Sequence, residues 1–171
     1  MNDAGVRPFS IRALLEDRAR YLVPMYQRNY AWGEGEITQL LQDVLDYQQK
    51  LVSGKGPQTY YIGTLVVFAR DDGSFEVIDG QQRFTTLSLL ANWLKHHAID
   101  SVDMSWYQTI NLAFESRPIS SHTFERLWQG VAPYDLRGST FNEGLVNGFE
   151  LIDKAMADLG LVGAKLTAFC D

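Results

Sequence analysis

Hydrophobic positions recur along the chain at two spacings. Ile37, Leu40, Leu41, Val44 and Leu45 share one face of a helix predicted over about 36–51, with Glu34 and Glu36 placed to favour its N-terminal dipole. Phe84, Leu87, Leu90, Ala91, Leu94 and Ala98 predict a second helix, ending near Ala98. Leu145, Phe149, Ile152, Met156 and Leu159 predict a third, opened by Asn142 and stopped by Gly160. Ser10 caps a shorter helix carrying Ile11, Leu14 and Leu15, with Phe9 as a hydrophobic staple.

Between these helices lie β-favouring runs. Tyr21-Leu22-Val23 reads as a short strand ended by Pro24. Tyr60 to Phe68 is nearly continuous in apolar and β-branched residues, which predicts a central strand. Asp71-Asp72-Gly73-Ser74 then turns a hairpin back to a strand starting at Phe75 and stopping on Asp79-Gly80. Asn111 to Glu115 reads as a further strand, ended near Arg117-Pro118, and Ser121 caps a short helix through Trp128. Leu161 to Asp171 begins another apolar segment. The pattern is α+β, a small mixed sheet packed with helices and followed by a helical extension.

Composition narrows the class. The 171 residues fit one ordinary domain, or one with a small extension, and 46% apolar residues can bury a substantial core. A single cysteine, Cys170, excludes an intramolecular disulfide framework and fits the cytoplasm. The first five residues lack the basic and apolar regions of a signal peptide, and no run reaches the ~20 apolar residues of a membrane span. The histidines have no zinc-ligand spacing, and Asp71 with Asp72 is explained better by turn chemistry than by a metal. A net charge of −6 argues against a broad nucleic-acid-binding face while leaving room for local basic patches. Gly54-Lys55-Gly56-Pro57 is a loop and not a phosphate-binding P-loop, because no Ser or Thr follows the lysine.

The candidate chemistry sits where strand meets helix. Gln81-Gln82-Arg83-Phe84-Thr85-Thr86 opens a helix directly after Asp79-Gly80, so unpaired backbone N–H groups and the positive dipole end attract an anion there. Arg83 adds a guanidinium fork for phosphate, and Gln81, Gln82, Thr85 and Thr86 add neutral donors. One carboxylate among donors suits a polyphosphate with its metal ion. The plainer alternative is a tight strand–helix connection, with Asp79 as cap and Arg83 in a surface ion pair. Upstream, Gln27 and Arg28 are interleaved among Tyr26, Tyr30 and Trp32. Such aromatics can stack a base while the polar pair reaches phosphate or base edges, or they can be core packing with Arg28 paired to a carboxylate.

Val77-Ile78-Asp79-Gly80-Gln81-Gln82-Arg83-Phe84-Thr85-Thr86-Leu87 resembles the Asp-Gly-Gln-Gln-Arg signature of the N-terminal domain of GmrSD-type restriction endonucleases, a modification-dependent (type IV) group. Pro24-Met25-Tyr26-Gln27-Arg28-Asn29-Tyr30-Ala31-Trp32 matches that family's opening Pro-x-Tyr-Gln-Arg-x-Tyr-x-Trp pattern, in the same order. The resemblance implies a fold similar to ParB and sulfiredoxin, and nucleoside-triphosphate hydrolysis coupled to cutting foreign, often modified, DNA. It covers the first half strongly and the remainder in outline. It implies a nucleotide-binding core over 1–100 and a mostly helical extension over 101–171, truncated before a later Asn-x-Arg-Gly motif and a nuclease domain. Gln81 stands where sulfiredoxin's motif places its cysteine, so that chemistry is not implied.

Two functions follow. In the first, the chain binds and hydrolyses a nucleoside triphosphate with Mg²⁺. Gly80, Gln82, Arg83, Thr85, Thr86 and Arg28 hold phosphates, Asp79 positions Mg²⁺ or the attacking water, and Gln81 orients that water. In the second, the chain senses DNA without turnover, and Tyr26, Gln27, Tyr30 and Trp32 read a modified base or backbone. The expected partners are a nucleotide, DNA through the full-length protein or a partner nuclease domain, and no membrane.

Overall fold

The computed structural model describes residues 5–55 and 59–170; Gly56 and Pro57 of the 54–57 loop, and the last residue, lie outside them. The elements follow the order α1 (Ile11–Glu16), β1 (Tyr21–Val23), α2 (Glu34–Val52), β2 (Val66–Ala69), β3 (Phe75–Asp79), α3 (Gln81–His97), β4 (Leu112–Phe114), α4 (Pro118–Trp128), a 3₁₀ turn (Pro133–Asp135), α5 (Glu143–Asp158) and α6 (Gly163–Cys170). The class is α+β, as the two periodicities predict.

The four strands form one mixed sheet in the order β2-β3-β1-β4. β1 runs parallel to both β3 and β4, with Tyr21 beside Phe75 and Leu112. β2 is antiparallel to β3 through the hairpin, whose tip is tied by Asp72 Oδ1 accepting from the Ser74 N–H at 2.9 Å and its hydroxyl at 2.6 Å. β4 and α5 come from beyond residue 100, yet β4 completes the sheet, and the indole N–H of Trp93 on α3 donates to Asp153 on α5 at 2.8 Å. Leu145, Phe149, Ile152 and Met156 of α5 are buried with Ile37 and Leu41 of α2 and Leu89 of α3 in one core.

Two readings need correction. The run from Tyr60 to Phe68 is not a central strand: only Val66–Ala69 is extended in the sheet, at its edge, with Phe68 60% exposed. Gly63, at φ 142°, ends the regular extension before it reaches Val66. The central place belongs to β1, whose three residues are all buried. Helix α4 starts at Pro118 rather than at a Ser121 cap, since proline is well suited to a first helical turn. Ser121 instead donates its hydroxyl to Phe114 O at 3.2 Å.

Candidate functional site

Both motifs leave the sheet at the carboxyl ends of neighbouring parallel strands, β1 and β3. Ligands of open α/β sheets gather at such ends. Gly80, between β3 and α3, has φ 88° and ψ 7°. An added Cβ there would come within 2.6 Å of Thr64 O, so both its left-handed backbone and the close approach of the 61–65 loop require glycine. No side chain caps α3, and no acidic residue lies in its first turn. The plainer reading made Asp79 the cap and gave Arg83 an ion pair; neither contact is present among the described residues. Asp79 is exposed at the end of β3.

Arg83 projects from this first turn over Gly63. A Cβ at Gly63 would overlap its guanidinium, which therefore lies close against bare backbone. Arg83 is half-buried and makes no hydrogen bond or ion pair with any described residue. Gly63 is not among the candidates read from the sequence. A glycine inside a β-favouring run marks close backbone approach, and that was the available signal.

The glutamines are engaged with the other motif. Gln82 accepts from the Ala31 N–H at 2.8 Å and donates to Asn29 O at 3.1 Å, gripping the loop as a neighbouring strand would. Gln81 donates to Arg28 O at 3.1 Å and approaches the Gln27 side-chain oxygen at 3.4 Å. Gln27 in turn donates to Ile78 O at 2.9 Å. From α4's start, Arg117 donates to Met25 O at 3.0 Å and to Gln27 O. The 25–31 loop is thus fastened to β3, α3 and α4.

Tyr30 anchors the loop from beneath. Its hydroxyl pairs with Thr86 Oγ1 at 2.8 Å, Thr86 donates to Gln82 O at 2.9 Å, and burial pushes the phenol up to about 12. The ring fits against α5 because Gly148 leaves room: a Cβ there would approach Tyr30 Cε1 to 2.5 Å. Thr85 and Thr86 are each 1% exposed, inside the protein with Tyr30. Trp32 is partly buried against the core.

Of the loop's candidate residues, Tyr26 and Arg28 face solvent. Tyr26 is 68% exposed, its hydroxyl donating to Glu76, which also takes Arg70 at 2.5 Å. Arg28 is exposed. Backbone N–H groups of Glu36 and Gly33 hold the Glu36 carboxyl below the ordinary carboxylate range, helped by the charge of Arg28. Among the described residues no group of three or more His, Cys, Asp or Glu side chains could hold a metal, and no helix is long and apolar enough to cross a membrane.

The structure brings the two motifs into one hydrogen-bonded unit, in which the Arg83 guanidinium bonds to no other described residue and lies beside an exposed aromatic–cationic loop. No curated protein matches the chain. The family model for the GmrSD restriction endonuclease, N-terminal domain, matches residues 11–158, and the chain belongs to that family.

Proposed function

We propose that this domain binds a nucleoside triphosphate with Mg²⁺ at the start of α3 and hydrolyses it, coupling turnover to recognition or cleavage of foreign, modified DNA. Family membership supplies the restriction and phage-defence setting. The observation that carries the nucleotide reading is Arg83: its guanidinium is packed on Gly63 and bonds to no described residue, in the first turn of a helix whose N-cap Gly80 makes no side-chain cap. A partly desolvated, pre-positioned guanidinium grips phosphate more strongly than a solvated one, and the helix start adds backbone donors. Gly80 allows the backbone turn, Thr86 and Gln82 hold it through their hydrogen bonds, and Thr85 is buried beneath it.

Phosphoryl transfer requires positioning and charge neutralisation more than covalent chemistry. Asp79 holds the Mg²⁺ or the attacking water, and Arg28 is a second phosphate contact. Gln81 already donates to Arg28 O, so a role in orienting water would use its remaining N–H or its oxygen. The ParB-like likeness belongs to this reading, since a turn ending in arginine at a helix start serves the same purpose there. A second reading, DNA sensing without turnover, is favoured by the exposed Tyr26 and Arg28 on the fastened loop.

Phosphate release from a nucleotide panel with Mg²⁺ tests the proposal. Asp79→Asn keeps side-chain size and removes the charge; turnover should fall at least tenfold, ~1.4 kcal/mol of barrier, with nucleotide binding kept. If the parent releases no phosphate yet binds modified DNA, the sensing reading replaces this one. Unchanged turnover in the variant moves the chemical step away from Asp79.

A further inference from the structure

Three exposed tyrosines stand on the segments that meet at the start of α3, and two of them are engaged elsewhere. The Tyr26 hydroxyl is tied to Glu76, three residues back along β3 from Asp79 and so about 10 Å away at the rise of a strand. The Tyr60 ring stacks on Tyr47, with centroids 5.3 Å apart. Tyr61 is different: it is 73% exposed, and neither face of its ring meets another ring or a cation among the described residues. Its side chain makes one hydrogen bond to them, from hydroxyl to hydroxyl with Thr64.

That bond fixes the ring, because a tyrosine has two side-chain torsions and holding the phenol oxygen on Thr64 restrains both. The turn that carries the ring borders the proposed phosphate site twice. Gly63 meets the Arg83 guanidinium, which leaves no space for a Cβ, and Thr64 O would stand 2.6 Å from a Cβ on Gly80. A ring that has given up torsional freedom without burying its faces is prepared for a flat partner. We infer that Tyr61 is the stacking platform for the base of the nucleotide whose phosphates Arg83 takes, positioned by Thr64, a role that rests on the phosphate site proposed at the start of α3.

A nucleotide carries charge at one end and a flat π-face at the other, joined by one ribose. It therefore uses a cation and an aromatic ring held against one turn. A polyphosphate without a base would gain nothing from the ring, and a base without phosphates would leave Arg83 unpaired. Stacking reads the face of a base and none of its edges, so purines and pyrimidines both gain from the platform, and choice among them falls to other groups. Tyr26 is the poorer platform: it stands with Glu76 and Glu115, which share one cation, Arg70, and leave a net negative charge that repels a triphosphate.

The test compares ATP, GTP, CTP and UTP, each with Mg²⁺, against Mg²⁺-methyl triphosphate, which has the same phosphates and no base. In the full parent chain the tightest of the four should bind at least tenfold more tightly than methyl triphosphate. Tyr61→Ala should erase that difference. Tyr61→Phe and Thr64→Val each keep an aromatic ring and lose the same hydroxyl–hydroxyl bond, so both should narrow it by one smaller factor. The fluorescence of 2-aminopurine riboside triphosphate should be quenched on binding to the parent and recovered in Tyr61→Ala. The platform is overturned if the parent binds nucleotide no more tightly than methyl triphosphate, if Tyr61→Ala keeps the difference, or if the bound 2-aminopurine is unquenched in the parent. Each of those results leaves the phosphate site standing, whereas failure of all four nucleotides and methyl triphosphate to bind the parent removes the site and the platform together.

Discussion

The guanidinium of Arg83 lies on the backbone of Gly63 in the space a Cβ would fill. In the proposed phosphate site neither residue suffices alone: the arginine supplies charge, and the missing side chain leaves the space in which it is held. Gly63→Ala should therefore displace Arg83 and abolish most nucleotide-induced stabilisation. Its backbone, at φ 142°, adds strain of ~1–3 kcal/mol. Gly73→Ala is the control, because Gly73 also has positive φ, 82°, but nothing within 4 Å of an added Cβ. Melting curves with and without nucleotide should show both variants less stable and only Gly63→Ala unresponsive. A Gly63→Ala protein that responds as the parent does would remove Gly63 from the site.

The hydroxyls of Tyr30 and Thr86 form the buried link between the loop and α3. Tyr30→Phe should cost ~1 kcal/mol, since Thr86 keeps its bond to Gln82 O and its hydroxyl is not stranded. Gly148→Ala should cost more, because the ring of Tyr30 must move away from α5. Urea midpoints measure both. A midpoint equal to the parent's, in either Tyr30→Phe or Gly148→Ala, would show that the ring is not held as described.

Acid should loosen the open face of the sheet. Tyr26 and Arg70 hold the Glu76 carboxyl below the ordinary range, and Arg70 does the same to Glu115. Folded values lowered in this way stabilise the fold fully above the unfolded value, near ~4.3. That contribution is lost as pH falls through the depressed folded values. Glu115→Gln should flatten the decline in urea midpoint between neutral pH and the acid limb. Parallel profiles for parent and variant would deny the Arg70 link any part in acid stability.

Local pattern carried much of this fold. The faces of α2, α3 and α5 and the Asp-Gly hairpin are periodic or turn-specific features, each set by residues close in sequence. Tyr60 to Phe68 misled because β-branched and aromatic residues signal a strand without saying what lies beside it. Here the hairpin leaves β2 at the edge, and Gly63 gives its surface to Arg83. The strand–helix junction at Asp79-Gly80 was legible, but what its side chains contact was not. Gln81 and Gln82 look like ligand donors in a linear motif, yet their amides meet residues over fifty positions upstream. Only the parallel pairing of β1 with β3 brings those residues together.

Calorimetric titration of Mg²⁺-nucleoside triphosphates into the parent and Arg83→Ala proteins tests the central claim most directly. At least one nucleotide should bind the parent, and at about a hundred times its Kd it should raise the melting point by roughly 5–10 °C. Arg83→Ala should weaken that nucleotide at least tenfold, ~1.4 kcal/mol, while its unliganded melting point stays within a few degrees of the parent's, because Arg83 bonds to no described residue. Binding undiminished in Arg83→Ala, or no binding of any nucleotide to the parent, would contradict a phosphate site at the start of α3.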